Sequence, residues 1–392
     1  MPASTKPAER PAHLKPLAPT TYLWRNFGKS APLTSVIVLA VLLVAGIVSL
    51  MDSIPLSIRT IYSYSRHMLG VSPRGDPAML PKLRAEIEEG SPVPLDRVVV
   101  CRASGAIVNS IVGKWPFVVL GLSAEDMRFY LDRLGTSNLV GRLPEPGKPE
   151  AVISAPVAKN LKLRVGDALL SPNERERYSP FEVKVVGIAL TSEWAMLGDI
   201  EYQKSNHFPP IDYLLVFAKS RRDQEALDRW AEAKFKGERA QLFAYHLLEK
   251  DTNEMFDTLY KILNLVIGVL VLVITVMMGM LMNIYQSQRL VEFGLLQAIG
   301  YTRAQLLGRM LRETALVIAG GWALGVASAY GLLLAARAAY MEPNAYALDP
   351  LDRVAYLYTV PIPVAVLAAA TLTVVLRFRR FDPVAVVERR IV

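Results

Sequence analysis

The sequence predicts a membrane protein with four transmembrane helices and a large α+β extracytoplasmic domain between helices 1 and 2. Three observations carry the prediction. First, the stretches 33–51, 262–284, 315–336 and 354–376 contain no Asp, Glu, Lys or Arg. An apolar run of about 20 residues is long enough to cross a bilayer as a helix. Second, the charge is unevenly placed. The flanks 1–32, 285–314 and 377–392 carry net charges of +4, +2 and +3, the loop 337–353 carries −1, and the long segment 52–261 is neutral. Basic residues in short loops mark the cytoplasmic side. All three basic flanks therefore put both termini and the loop 285–314 inside, with 52–261 and 337–353 outside. Third, from Leu95 onward the pattern inside 52–261 changes to short β-rich runs bounded by turn residues.

The 392 residues are 52% hydrophobic and 20% charged, with mean hydropathy +0.28 and net charge +8. That length allows two or three domains. A basic chain can bind nucleic acid, but here the basic residues follow the membrane pattern, so no nucleic-acid partner is expected. Cys101 is the one cysteine. No intrachain disulfide is possible, and the residue reads as a buried, inert thiol. His13, His67, His207 and His246 show no metal-ligand spacing.

Taken in order, residues 1–20 hold five prolines and no apolar periodicity. They read as a disordered cytoplasmic tail. Trp24, Arg25, Phe27 and Lys29 suit the membrane interface. The run 33–51 is longer than a signal-peptide core and no Ala-x-Ala site follows, so it reads as a retained anchor. Residues 53–69 continue it as a stalk helix interrupted by Pro55, with Ile58, Ile61, Tyr62 and Ser65 on one face. Strand-like runs lie at 97–101, 106–108, 117–120, 151–153, 181–186 and 213–217. Turns at Pro144 to Gly147 and at Gly166-Asp167 bound several of them. Helical pieces fit 124–134 and 155–161. Residues 190–220 are looser, and Trp194, Met196, Tyr202 and the segment from His207 to Pro210 read as a local core. Residues 221–259 read as helix, with Leu227, Trp230, Ala231 and Phe235 at helical spacing, and 242–260 as the stalk of the second span. Gly321 and Gly325 form a small-xxx-small pair that lets helices approach closely. Pro361 and Pro363 sit at the start of the fourth span, where a kink costs least.

The loop after the second span is the most sharply bounded stretch. From Gln288 to Gly300 the pattern is a short amphipathic helix. Val291, Leu295, Ala298 and Ile299 share one apolar face. Arg289 and Glu292 are three apart and meet on the other. Gly300 ends the helix. Thr302 with Gln305 is a capping box that starts the next one.

Arg289…Glu292-Phe-Gly294-Leu-Leu-Gln-Ala298-Ile-Gly300, followed by Gln305-Leu306 and Arg309…Glu313, resembles the signature of the FtsX/MacB-like (type VII) ABC transporter permeases. The stretch from Gly141-Arg-Leu-Pro144 through Glu150 to Asp167 and on to Ile188 resembles the periplasmic core domain of MacB and LolC/LolE. FtsX itself is a poorer match there. The tail from Arg377 to Arg390 resembles the terminal Asp-Pro pattern of the same family, and is also suited to clamp the membrane surface. The resemblance implies that Arg289, Glu292, Phe293, Gly294, Leu295, Leu296, Ala298 and Gly300 couple to a cytoplasmic P-loop ATPase dimer. It implies a second permease copy or paralogue, membrane lipids, and a periplasmic adaptor or outer-membrane partner as further contacts. It also implies an inner-membrane location, mechanotransmission as the mode of action, and a variable subdomain near 190–220.

No Gly-x-x-x-x-Gly-Lys-Ser/Thr loop, Gly-x-Ser-x-Gly, His-Glu-x-x-His or paired-cysteine motif occurs. The chain is therefore expected to be non-catalytic and to carry no cofactor, with ATP and Mg used by the partner ATPase. Spans without ionisable residues argue against proton- or ion-coupled transport. A rival reading is a membrane-anchored sensor or scaffold whose external domain binds a ligand; it predicts no ATPase partner.

Overall fold

The computed structural model describes residues 27–379 except 75, 207, 209–211 and 236–239. The tail 1–20, Trp24, Arg25, His207, Pro209, Pro210 and residues 380–392 of the C-terminal pattern lie outside the described residues. The remainder divides into two compact units. One comprises 27–48, 263–332 and 351–379; the other comprises 49–262 and 333–350.

The first unit is helical. It takes in parts of α1 (Phe27–Ile61), α7 (Tyr245–Ser287) and α9 (Arg303–Ala336), together with α8 (Leu290–Ala298), α10 (Arg353–Leu357) and α11 (Pro361–Arg379). Each of α1, α7, α9 and the stretch 353–376 is long and apolar enough to cross a membrane. The fourth helix proper starts at Pro361, not at Val354. Proline lacks an N–H and disfavours helical geometry in the residue before it, so it stands at the first helical position. The two interfacial glycines do pack. A Cβ on Gly321 would lie 3.1 Å from Ile37, and one on Gly325 would lie 2.8 Å from Val41. Only glycine lets α9 approach α1 this closely at Gly325.

The second unit is built on one ten-stranded sheet. Its strands are β1 (Leu69–Pro73), β2 (Leu95–Ser110), β3 (Gly113–Leu122), β4 (Leu139–Gly141), β5 (Glu150–Ser154), β6 (Ala168–Leu170), β7 (Val183–Ala189), β8 (Met196–Asp199), β9 (Asp212–Ala218) and β10 (Ala240–Phe243). The order is β10-β1-β9-β2-β3-β8-β5-β7-β4, with β6 on β7. The pairs β3/β8 and β5/β7 are parallel. Helices α2 (Leu80–Gly90) and α6 (Arg221–Lys234) cover one face of the β10-β1-β9-β2 half. There Leu83, Ile87, Leu227 and Ala231 bury against Leu69, Val71, Leu214 and Val216. Each such large side chain contributes about 1.5–3 kcal/mol. Helices α3 (Ala124–Arg133), α4 (Ala155–Leu161) and α5 (Ile200–Ser205) complete the unit. Ser123 caps α3 by accepting from the Asp126 N–H at 3.1 Å.

Four expectations are corrected. The two runs at 97–101 and 106–108 are one strand, β2. The stalk after span 1 is α-helical to Ile61 and continues as a 3-10 helix over Ser63–His67, but Leu69 already pairs as a strand with Val216. Residues 221–259 are not one helix, because β10 intervenes and pairs with β1. Residues 190–220 form no separate subdomain: β8 and β9 belong to the common sheet, and Trp194 is buried in its main core against Phe117. In each case long-range pairing overrode a local helical or loop-like pattern. The loop 337–353, placed by charge on the same side as 52–261, lies largely in the same unit. Leu333, Met341 and Leu348 form a small cluster backed by Ile111, and Asn160 donates to the Asn344 carbonyl at 2.9 Å.

Candidate functional site

Helix α8 is closed at its far end by a complete turn motif. Gly300 has φ +103°, a backbone region that costs other residues a Cβ clash. The Tyr301 N–H donates to the Leu296 carbonyl and the Gly300 N–H to that of Gln297, both at 3.1 Å. Tyr301 and Leu296 also pack in the same cluster, as this kind of helix ending requires. The expected capping box is present. Thr302 N–H donates to Gln305 Oε1 at 3.0 Å, and Gln305 N–H to Thr302 Oγ1 at 3.3 Å. The helix is thus fixed in length by local chemistry at its C-terminal end.

The expected site residues divide into two groups. Arg289, Phe293 and Gly294 are buried and Leu296 is half-buried. Phe293 packs with Leu306 and Met310 of α9 and Val374 of α11. Glu292, Leu295, Ala298 and Gly300 are exposed, as is the neighbouring Ile299, with Leu295 at 61% and Ile299 at 74%. The apolar face read from the sequence therefore points away from the rest of its unit, and Phe293 with Leu296 supplies the inward anchor.

Arg289 and Glu292 do meet, at 3.4 Å, but Arg289 is not on a solvated face. Its Nη1 donates to Glu313 Oε2 at 2.5 Å, and Arg309 Nε donates to Glu313 Oε1 at 2.9 Å. The side chains of Arg289 and Glu313 are each 2% exposed. The guanidinium also lies over the rings of Tyr285 and Phe293, at 5.4 and 5.1 Å. Glu313 thus ties Arg289, at the start of α8, to the second and third turns of α9, and Arg289 also donates to Tyr285 OH of α7 at 3.4 Å. Two cations and two carboxylates meet here, so local charge balances. An ion pair this buried holds only when its geometry is good and its charges are matched. Arg309 and Glu313 were quoted in the signature but not assigned to the site; their spacing of four on one helix was the available signal.

A second arrangement escaped the sequence reading. Just beyond the spans, α1 and the segment after it face α7 through a polar ladder. Tyr260 OH donates to Asp52 Oδ1 at 2.8 Å, Arg59 pairs with Asn253 and with Glu249 at 3.6 Å, and Arg66 donates to Tyr245 OH at 2.5 Å. Positions 52, 59 and 66 are seven apart, close to two helical turns. Heptad spacing of polar residues in a stretch otherwise read as a simple stalk was the overlooked cue.

Among the described residues no group of three His, Cys, Asp or Glu side chains is placed to hold a metal ion. Cys101 is buried, and burial pushes its thiol well above the ordinary range. Glu193 feels burial raising its pKa, but hydrogen bonds from His67 and Ser63 outweigh this and hold it below the usual value.

Among the described residues, four membrane-length helices, a short helix between the second and third, and a large sheet unit between the first and second define a multi-span membrane architecture. Residues 264–383 match the family model described as FtsX-like permease C-terminal. This part of the chain, from the second span to the fourth, is therefore similar to the C-terminal domain of FtsX-like permeases. Among curated proteins none matches. Two solved structures are similar to part of the chain. The periplasmic region of MacB from Actinobacillus actinomycetemcomitans shares 11% identity, covering 50% of this chain and 94% of that one, with TM-score 0.27. The extracellular domain of the noncanonic ABC-type transporter YknZ from Gram-positive bacteria shares 14% identity, covering 45% of this chain and 98% of that one, with TM-score 0.24.

Proposed function

We propose that this chain is the permease subunit of a MacB/LolCDE-type system in which a separate cytoplasmic ATPase dimer drives work outside the membrane. That work would be export, or extraction of a lipid or lipoprotein. The observation that carries this reading is helix α8. Its outer face offers Leu295, Ala298 and Ile299 to a partner, while its inner face is locked to α7 and α9 through Arg289 and Glu313. A push on the outer face is then delivered to two spans together, because the buried ion pair leaves α8 little freedom to yield. Helix α7 runs unbroken for 43 residues, roughly 65 Å at 1.5 Å per residue. Its outer part is tied to α1 by Asp52 and Arg59 and to the segment after α1 by Arg66, so both stalks would move as a unit. ATP and Mg²⁺ act on the partner chain. Both termini and α8 lie on the cytoplasmic side of the inner membrane, as the basic flanks favour, with a second permease copy or paralogue alongside.

The test is purification from the native host of the wild type and of a Leu295→Asp, Ile299→Asp double variant. A P-loop ATPase co-purifying with the wild type and lost from the variant, at unchanged thermal stability, supports the proposal. Retention of the ATPase by the variant, or recovery of a signalling protein in place of any ATPase, overturns it; the second result would favour the sensor reading.

A further inference from the structure

The two faces of the β10-β1-β9 half of the sheet are covered differently. Leu69, Val71, Leu214 and Val216 lie under α2 and α6. The alternate residues Gly70, Tyr213 and Leu215, with Phe243, turn the other way, as strand geometry requires. The cover on that side comes from residues 62–68 and from Leu248, and it leaves a partly open cavity of about 230 Å³. Tyr64, Met68, Phe117, Leu120, Leu215 and Phe243 supply much of its wall.

The chemistry of the wall is one-sided. No Asp, Glu, Lys or Arg lines it. Tyr62 OH already donates to the Pro116 carbonyl at 3.0 Å and accepts from Trp115 Nε1 at 3.1 Å. Ser65 Oγ donates to the Tyr62 carbonyl at 2.7 Å. These hydroxyls are committed to the wall itself. The hydroxyls of Tyr64 and Tyr213 are the remaining polar side-chain groups of the lining, so a water here meets few of the two to four partners that would hold it. Burial raises the pKa of the lining Tyr64 and Tyr213 hydroxyls, so the rings stay uncharged.

Size then selects the ligand. An apolar cavity of about 150 Å³ is enough for benzene, so a single ring would leave this one underfilled. Taking the roughly 30 Å³ liquid volume of one water as the size of a methylene, a flexible chain of about eight carbons matches this volume. The partial opening lets a polar end remain in water. The lining segment follows directly on α1, the helix that carries the first apolar run, which makes membrane amphiphiles the nearest source of such chains.

We propose that this cavity binds one unbranched hydrocarbon chain of an amphiphile, buried to about eight carbons. The site stands apart from the ATPase-coupling reading and does not require it. The experiment uses the full chain in lipid nanodiscs, photolabelled with a diazirine-bearing octanoate and competed with n-alkanoates of increasing length. Labelled peptides are mapped by mass spectrometry. The expected result is saturable labelling of the peptides containing Tyr64–Met68 and Phe117–Leu120. Competitor affinity should rise about fourfold per methylene to about eight carbons and then level off. Val118→Phe, which fills the cavity from β3, should abolish that labelling at unchanged thermal stability. If that variant fails to fold, the chain-length plateau in the wild type decides alone. Absence of saturable labelling at these peptides overturns the proposal. So does affinity that climbs without a plateau, which is the behaviour of simple partition into the nanodisc, or labelling that persists in a folded Val118→Phe variant.

Discussion

Replacing Glu313 by Gln removes the one carboxylate that Arg289 and Arg309 share. The structure orders the three possible deletions. Without Arg309, Glu313 keeps its 2.5 Å bond to Arg289. Without Arg289, it keeps the 2.9 Å bond to Arg309. Without Glu313, both cations lose the carboxylate they share, and the carboxylate of the half-exposed Glu292 stands farther from Arg289, at 3.4 Å. Breaking a buried pair by removing one partner costs about 3–5 kcal/mol. Glu313→Gln should therefore fall in that range, Arg289→Met below it, and Arg309→Met lowest. The Arg289→Met, Glu313→Leu double variant should recover much of the loss, since an apolar pair of similar volume is often neutral. Thermal unfolding in nanodiscs, with denaturant titration of each variant, measures the series. A Glu313→Gln cost under about 1 kcal/mol, the range of exposed pairs, would refute the reasoning, as would additive effects in the double variant.

Three further outcomes are expected. Gly325→Ala places a Cβ 2.8 Å from Val41 and should destabilise by about 1–3 kcal/mol, whereas Gly331→Ala, with nothing within 4 Å, should be neutral or slightly stabilising; equal effects in thermal melts would count against the α1–α9 contact. Burial raises the Asp228 carboxyl to about 6, against the hydrogen bond from Gln224 that lowers it. Its folded pKa thus lies above the unfolded value, so its contribution to stability is present at low pH and lost as pH rises through about 6. Asp228→Asn should raise stability at pH 8, by up to roughly 3 kcal/mol, and leave it unchanged near pH 4. Cys101 should resist maleimide in the folded protein and react once the chain is unfolded, a contrast read by mass shift.

Much of the candidate site was legible because its determinants are local. Gly300 ends α8 through its own backbone freedom, and the Thr302–Gln305 box starts α9 through two hydrogen bonds only three residues apart. Helix-length apolar runs are likewise local, since a bilayer span is set by length and composition. What faces inward on α8 was not legible in this way. Periodicity marked Leu295, Ala298 and Ile299 as one apolar face, but it does not say whether such a face meets the chain's own core or a partner. Phe293, packed on Leu306 and Val374, answers that question through contacts with α9 and α11.

The same distinction runs through the sheet unit. The sequence by itself determined the four apolar helices, their charge asymmetry, the Gly300 ending of α8 with the capping box that starts α9, and the β-rich character of 95–217. Each follows from residues within a turn or a span of one another. Tertiary structure alone decided that β10 interrupts the reading of 221–259 as one helix, because its partner β1 lies far away in the chain. It alone drew Trp194 into the common core and joined Asp52, Arg59 and Arg66 to α7. It also turned Arg289 from a surface charge into a buried one, because the carboxylate that neutralises it sits 24 residues away on the next helix.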